Sequence, residues 1–169
     1  MTTNKYIKNS LKLSVLVLLI IILGCKNKSE ASDMTEQNKL QELGKNYNAA
    51  WNSQTPEYVA SFYTPHGTLI VNKGTPIVGR EQITKFVRDF MVAFPDMKLT
   101  MDSLVTKNGR TEFHWTFKGT NTGPGGTGNP VNFSGFESWK FSNEGLIQES
   151  FGTYDANEYD RQVSGQVDN

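Results

Sequence analysis

Cysteine is nearly missing: Cys25 is the only one in 169 residues. No disulfide can close within the chain, and no cluster of thiolates can hold a metal. Histidine is almost as scarce, with His66 and His114 alone, so a transition-metal site is not expected and no cofactor is implied. Neither sign of charge is in excess, at 17 Lys and Arg against 17 Asp and Glu. Without a basic block or stripe, nucleic acid is not an expected partner. Long hydrophobic runs are lacking too. The one from Leu13 to Leu23 is about half the roughly 20 residues that cross a bilayer. No internal repeat marks a solenoid. The glycine run from Gly123 to Gly128 lacks the Lys-Ser/Thr of a phosphate loop and precedes no helix. No serine or cysteine stands in a nucleophile elbow.

What is present begins at the N-terminus. Lys5, Lys8 and Lys12 precede the short apolar run with no acid among them, the layout of an export signal. The run ends at Ile22-Leu23-Gly24-Cys25, which resembles the lipobox of bacterial lipoproteins. That resemblance implies cleavage before Cys25 and a lipidated cysteine carrying acyl chains such as palmitate. It also implies a chain anchored to a membrane of the bacterial cell envelope. One acyl chain binds only reversibly, whereas two hold durably. Residues 1–24 then form a signal peptide and residues 25–32 a polar tether. Losing residues 1–24 deletes three lysines and no acid, leaving 14 basic and 17 acidic side chains.

One compact domain is expected over residues 33–163, with 164–169 as a disordered tail. Asp33 and Glu36 have the spacing of a capping box. Leu40, Leu43, Tyr47, Ala50 and Trp51 follow on one helical stripe. Thr55-Pro56 starts a short second helix, whose buried side is Val59, Phe62 and Tyr63. Two short strands join at Asn72-Lys73-Gly74. The clearest helix carries Ile83, Phe86, Val87, Phe90, Met91 and Phe94 on one face and stops at Pro95. The period then changes to two. Phe113, Trp115 and Phe117 alternate with Glu112, His114, Thr116 and Lys118, and Asn108-Gly109 signals a hairpin. Residues 131–142 and 145–154 give two more strands, and a closing helix is expected from Asp155 to Val163. Helices first and a long meander last predict an α+β fold, with three to four helices on one face of a strongly bent antiparallel sheet.

This order resembles the NTF2-like cone fold, and its details resemble the SnoaL-like, ester-cyclase branch. The matching stretches are FYTPHG (62–67), GREQI (79–83), FPDMKL (94–99), GTNTGP (119–124), GNPVNFSG (128–135) and ESFGTYD (149–155). The resemblance implies an apolar pocket open at one end. Its implied lining is His114, Thr116, Asn121, Ser138, Ser150, Gly152 and Tyr154, although His114 reads equally as a surface strand histidine, since a register shift flips its face. Characterised cyclases place an aspartate base on the last strand, and that position falls at Gly152. Ser150 and Ser138 stand at two histidine positions. Glycine supplies no acid–base group.

Two acids are candidates from the residues themselves. Glu137 lies between Phe136 and Trp139 in a strand, where a carboxylate is costly unless paired or solvated. It reads either as a pocket acid or as an outward residue at an oligomer face, the second reading being favoured. Asp155 suits the N-cap of the last helix. The glycine-rich loop is expected over the pocket mouth, and His66 in a turn. Three functions remain open. The first is a tethered domain that binds a small apolar or amphipathic molecule. The second is a proton-transfer enzyme of cyclase, isomerase or hydratase type with a rearranged site. The third is an envelope interaction module that forms a homodimer through the open sheet face. The first is preferred.

Overall fold

The computed structural model describes residues 34–166. The signal peptide, the tether with Cys25, the Asp33 cap and residues 167–169 lie outside the described residues. Helix α1 covers residues 34–52. From Glu42 onward it belongs to the domain, with Tyr47 and Ala50 fully buried and Leu43 packed against the same core. A methyl group at Gly44 would lie 2.5 Å from Leu104 Cδ1 and 2.9 Å from Met101 Sδ. The residue that weakens the helix in isolation is thus the one that lets it approach the sheet.

Helix α2 is Pro56–Ser61, and proline sits in its first turn. Thr55 occupies the N-cap position without capping through its side chain; its hydroxyl donates to the Ser53 carbonyl instead. Tyr63 is not on this helix. It is fully buried at the start of β1, Tyr63–Val71. Asn72 and Lys73 turn the chain with φ of 47° and 60°, and β2 is only Ile77–Val78. Helix α3, Arg80–Ala93, buries Ile83, Val87 and Met91. Phe94 follows it, completely buried.

Strands β3 (Lys98–Lys107) and β4 (Arg110–Thr120) form the expected hairpin across Asn108-Gly109. Strands β5 (Pro130–Phe141) and β6 (Ile147–Tyr154) follow, and α4 is Ala156–Ser164. The order across the sheet is β2-β1-β6-β5-β4-β3. The fold is α+β, a curved open six-stranded sheet with four helices. The β1–β6 pair is parallel, unlike the others, because the chain leaves β1 and returns through α3 and the β3–β5 meander before β6 docks. Register shifts at Met101/Ser103 and Lys140/Phe141 are bulges, which bend a sheet. The expected tail begins too early: Ser164 is still helical and Gly165 caps α4, with the Gln166 N–H donating to the Arg161 carbonyl.

Candidate functional site

Alternation along the strands decides which side chains meet the helices. On β4, Thr111, Phe113, Trp115 and Phe117 are buried. The paired positions on β5 are Trp139, Glu137, Gly135 and Phe133, and Gly152 on β6 lies directly opposite Glu137. Gly135 has a reason to be glycine: a Cβ there would lie 2.6 Å from Trp115 Cζ2, so the indole lies where a side chain would be.

Between this inner face and the helices is a cavity of about 70 Å³. Trp51 of α1 and Phe86 and Phe90 of α3 form one side. Trp115, Phe117, Phe133 and Tyr154 come from the sheet. Glu137 is the one charged residue among its walls, and Gly152 lies next to it. Phe90, expected within the buried helical stripe, is half-buried and serves as a cavity wall.

Glu137 points inward and is 8% exposed, which corrects the favoured outward reading. Four groups donate to its carboxylate. Ser150 Oγ is 2.7 Å and Trp139 Nε1 3.0 Å from Oε2. The Tyr47 hydroxyl is 3.1 Å from both oxygens, and that of Tyr63 is 3.3 Å from Oε2. Burial holds the Glu137 carboxyl above its ordinary value, and the donors act in the opposite sense without overcoming it. Burial and the Glu137 charge push the Tyr47 and Tyr63 hydroxyls well above the usual phenol range. Trp51 Nε1 is buried with no hydrogen-bond partner, although the indole slightly favours an ionised Tyr47.

A pH dependence follows. With its folded pKa raised, Glu137 binds its proton more tightly in the native than in the unfolded chain. Its relative contribution is fully present below the unfolded value of about 4.3 and is lost as pH rises through the folded value. Glu137→Gln keeps the shape and can satisfy the same neighbours. The variant is expected to gain stability over the wild type as pH rises through that window. Urea melts of both chains across pH would show it; a constant difference would mean Glu137 titrates normally.

The other expected pocket residues separate. Tyr154 and Gly152 line the cavity, and Ser150 lies beneath it, fully buried on Glu137. His114 and Thr116 are on the outer face: His114 Nε2 is 3.1 Å from Glu112 Oε2, and Thr116 bonds Asp102 and Ser134. Ser138 is also outward, accepting from Arg110 Nε at 2.9 Å. A strand's two-residue period fixes this, since the neighbouring aromatics claim the inner face. Asn121 is buried but structural, accepting from the Thr127 N–H and donating to the Ala93 carbonyl. Its loop is fastened to the end of α3 and to Val163, and none of residues 121–129 lines the cavity. Asp155 caps α4 by accepting from the Glu158 N–H at 3.0 Å. His66 is exposed within β1.

Sequence reasoning missed the roles of Tyr47, Tyr63 and Trp139 around Glu137. A buried tyrosine or tryptophan usually needs a polar partner, and Glu137 shares the parity of Phe133 and Trp139 on β5. Those two facts together pointed inward.

The sequence profile of the SnoaL-like polyketide cyclases matches residues 41–163. The chain belongs to this SnoaL-like family. No curated protein matches it in sequence. Among solved structures it resembles TsrD from Streptomyces laurentii, with 22% identity and a TM-score of 0.63 over 73% of this chain and 93% of that one. It also resembles an NTF2-like protein from Burkholderia pseudomallei, with 17% identity and a TM-score of 0.64 over 75% and 98%. A third is a protein with a ketosteroid isomerase-like fold from Catenulispora acidiphila, in complex with trimethylamine. There the identity is 16% and the TM-score 0.62, over 71% and 90%. These likenesses show the SnoaL-like chain's fold.

Proposed function

We propose that this SnoaL-like domain is a membrane-tethered binding domain that holds a small, largely apolar molecule in the aromatic cavity. The cavity carries the reading: hydrophobic walls with one placed polar group are the usual make-up of a ligand site. A volume of about 70 Å³ is well below the roughly 300–1,000 Å³ that enclose drug-sized ligands. The occupant is therefore small, or is one end of a longer molecule. Trimethylamine, held by the Catenulispora protein, is on that scale. Native mass spectrometry of protein purified from its host should reveal a retained small molecule that leaves on unfolding. A bare protein, with no thermal shift from a panel of small apolar compounds, would end the reading.

A second reading is proton transfer. Glu137 stands directly across from Gly152, the position of the family's base, and a carboxyl with a raised pKa in a dry pocket suits general acid–base work. Turnover that disappears in Glu137→Gln would favour it over binding alone.

The tether is the third part of the proposal and rests on the Ile22–Cys25 motif. Cys25→Ala is expected to abolish fatty-acid labelling and to leave the precursor unprocessed or released. Labelling and fractionation like the wild type would show that this cysteine is not the anchor.

A further inference from the structure

We infer that the occupant of the cavity presents a small alkylammonium group, with Glu137 as its counter-charge and the aromatic rings as its cage. The inference rests on the binding reading above and names its ligand class. Glu137 is surrounded by groups arranged to solvate an anion. Trp139 Nε1–H can only donate, and the hydroxyls of Ser150, Tyr47 and Tyr63 also reach the carboxylate. Among the described residues no Lys, Arg or His forms an ion pair with it. A buried carboxylate with neutral donors and no cation is left short of positive charge. The cavity beside it is where a cation can enter.

The walls fit the same charge. Trp51, Phe90, Phe117 and Phe133 touch in sequence, with ring centroids 6.1, 5.1 and 5.2 Å apart. Trp115 and Tyr154 continue the chain from Phe133 at 5.6 and 5.3 Å. Aromatic faces attract cations, and methylated ammonium groups are the kind such cages hold, since their methyls prefer an apolar wall. An anionic ligand would meet Glu137 unfavourably. A strongly hydrated primary ammonium would find only the Tyr154 hydroxyl as a further side-chain acceptor among the wall residues.

The titratable groups facing Glu137 are Tyr47 of α1 and Tyr63 of β1, with Tyr154 of β6 in the cavity wall. Burial raises all three hydroxyls above the usual phenol value, so Glu137 is the first of these groups to release its proton as pH rises.

Choline and its uncharged isostere 3,3-dimethylbutan-1-ol separate charge from shape. Both carry one hydroxyl, so any bond from Trp51 Nε1 is common to them. Trp51 and Trp115 in the walls make tryptophan emission of the purified protein a direct readout. Choline is expected to bind roughly tenfold or more tightly than the alcohol at neutral pH. The preference should fade as pH falls and Glu137 takes up its proton, while the alcohol's affinity stays level. Glu137→Gln should remove the preference. The pH series on the unaltered protein stands if that variant does not fold. Equal affinity for the two probes, or a preference for the alcohol, would overturn the inference and leave the binding reading intact. A choline preference that survives Glu137→Gln, or is independent of pH, would also overturn it. Binding of neither probe, with no ligand retained from the host, would remove both readings.

Discussion

Gly152→Asp is expected to destabilise the domain by about 3 kcal/mol or more at neutral pH, the scale of an uncompensated buried charge. Space is not the cause. A Cβ at Gly152 would sit 3.7 Å from Val71 Cγ2 and 3.9 Å from Glu137 Cγ, ordinary contact distances. The cause is Glu137, which already holds a carboxylate directly across the β5–β6 ladder. Two carboxylates sharing a buried site cannot both ionise cheaply, so one pKa is driven up. The native state then holds a proton that the unfolded chain releases. The loss should therefore grow as pH rises above about 4 and shrink below it. Adding Glu137→Gln to Gly152→Asp should restore about 1–3 kcal/mol of the loss through the coupling of adjacent sites. Urea melts of the two single variants and the double at several pH values measure this. Equal losses with and without Glu137 would mean that the two positions do not share one environment.

Trp139→Ala is expected to cost about 3–5 kcal/mol, the usual range for truncating a buried large aromatic residue. Trp139 is completely buried. Its ring stacks on Phe113 at 4.9 Å with the planes 16° apart and meets Tyr47 edge-on at 4.9 Å. Truncation opens a cavity beneath the floor of the pocket and removes one of the donors to Glu137. Trp139→Phe separates these contributions. It keeps most of the volume but loses the N–H together with two ring carbons, so about 1–3 kcal/mol is expected, mainly from the weakened support of the carboxylate. A Trp139→Ala loss below about 1 kcal/mol in urea melts would show that this residue does not organise the core.

The cavity also bears on how the domain relates to cyclase chemistry. Its volume of about 70 Å³ leaves room for few heavy atoms, and on the last strand Gly152 stands where the family resemblance implies an aspartate. Glu137 reaches the same region from the neighbouring strand. Its carboxylate is held there by a set of donors that includes Ser150.

Much of the architecture was legible in the sequence because its signals are local. The 3.6-residue stripe of α3 and the two-residue alternation of β4 each state which side faces apolar surroundings. Asn108-Gly109 states a turn because both residues adopt positive φ, at 53° and 72°. Asp155 was legible for the same reason, since an N-cap bonds within its own first turn.

The site was legible only in part. A side chain's face follows from strand parity, but its value as a pocket residue depends on what the other elements bring to that face. The alternation already separated His114 and Thr116 from Phe113, Trp115 and Phe117. Only the helices on the aromatic side decided that the histidine would be outside. Glu137 is the sharper case. Nothing local to Phe136-Glu137-Ser138 reveals Tyr47, 90 residues away, or Tyr63, 74 residues away, both of which reach its carboxylate. The sequence by itself determined the order of elements and the family resemblance, both properties of neighbouring residues and spacing. Tertiary structure alone decided that a carboxylate could be buried at position 137, because the cost of burying it is met by donors from α1, β1, β5 and β6 that become neighbours only when the sheet curves and the helices close over it.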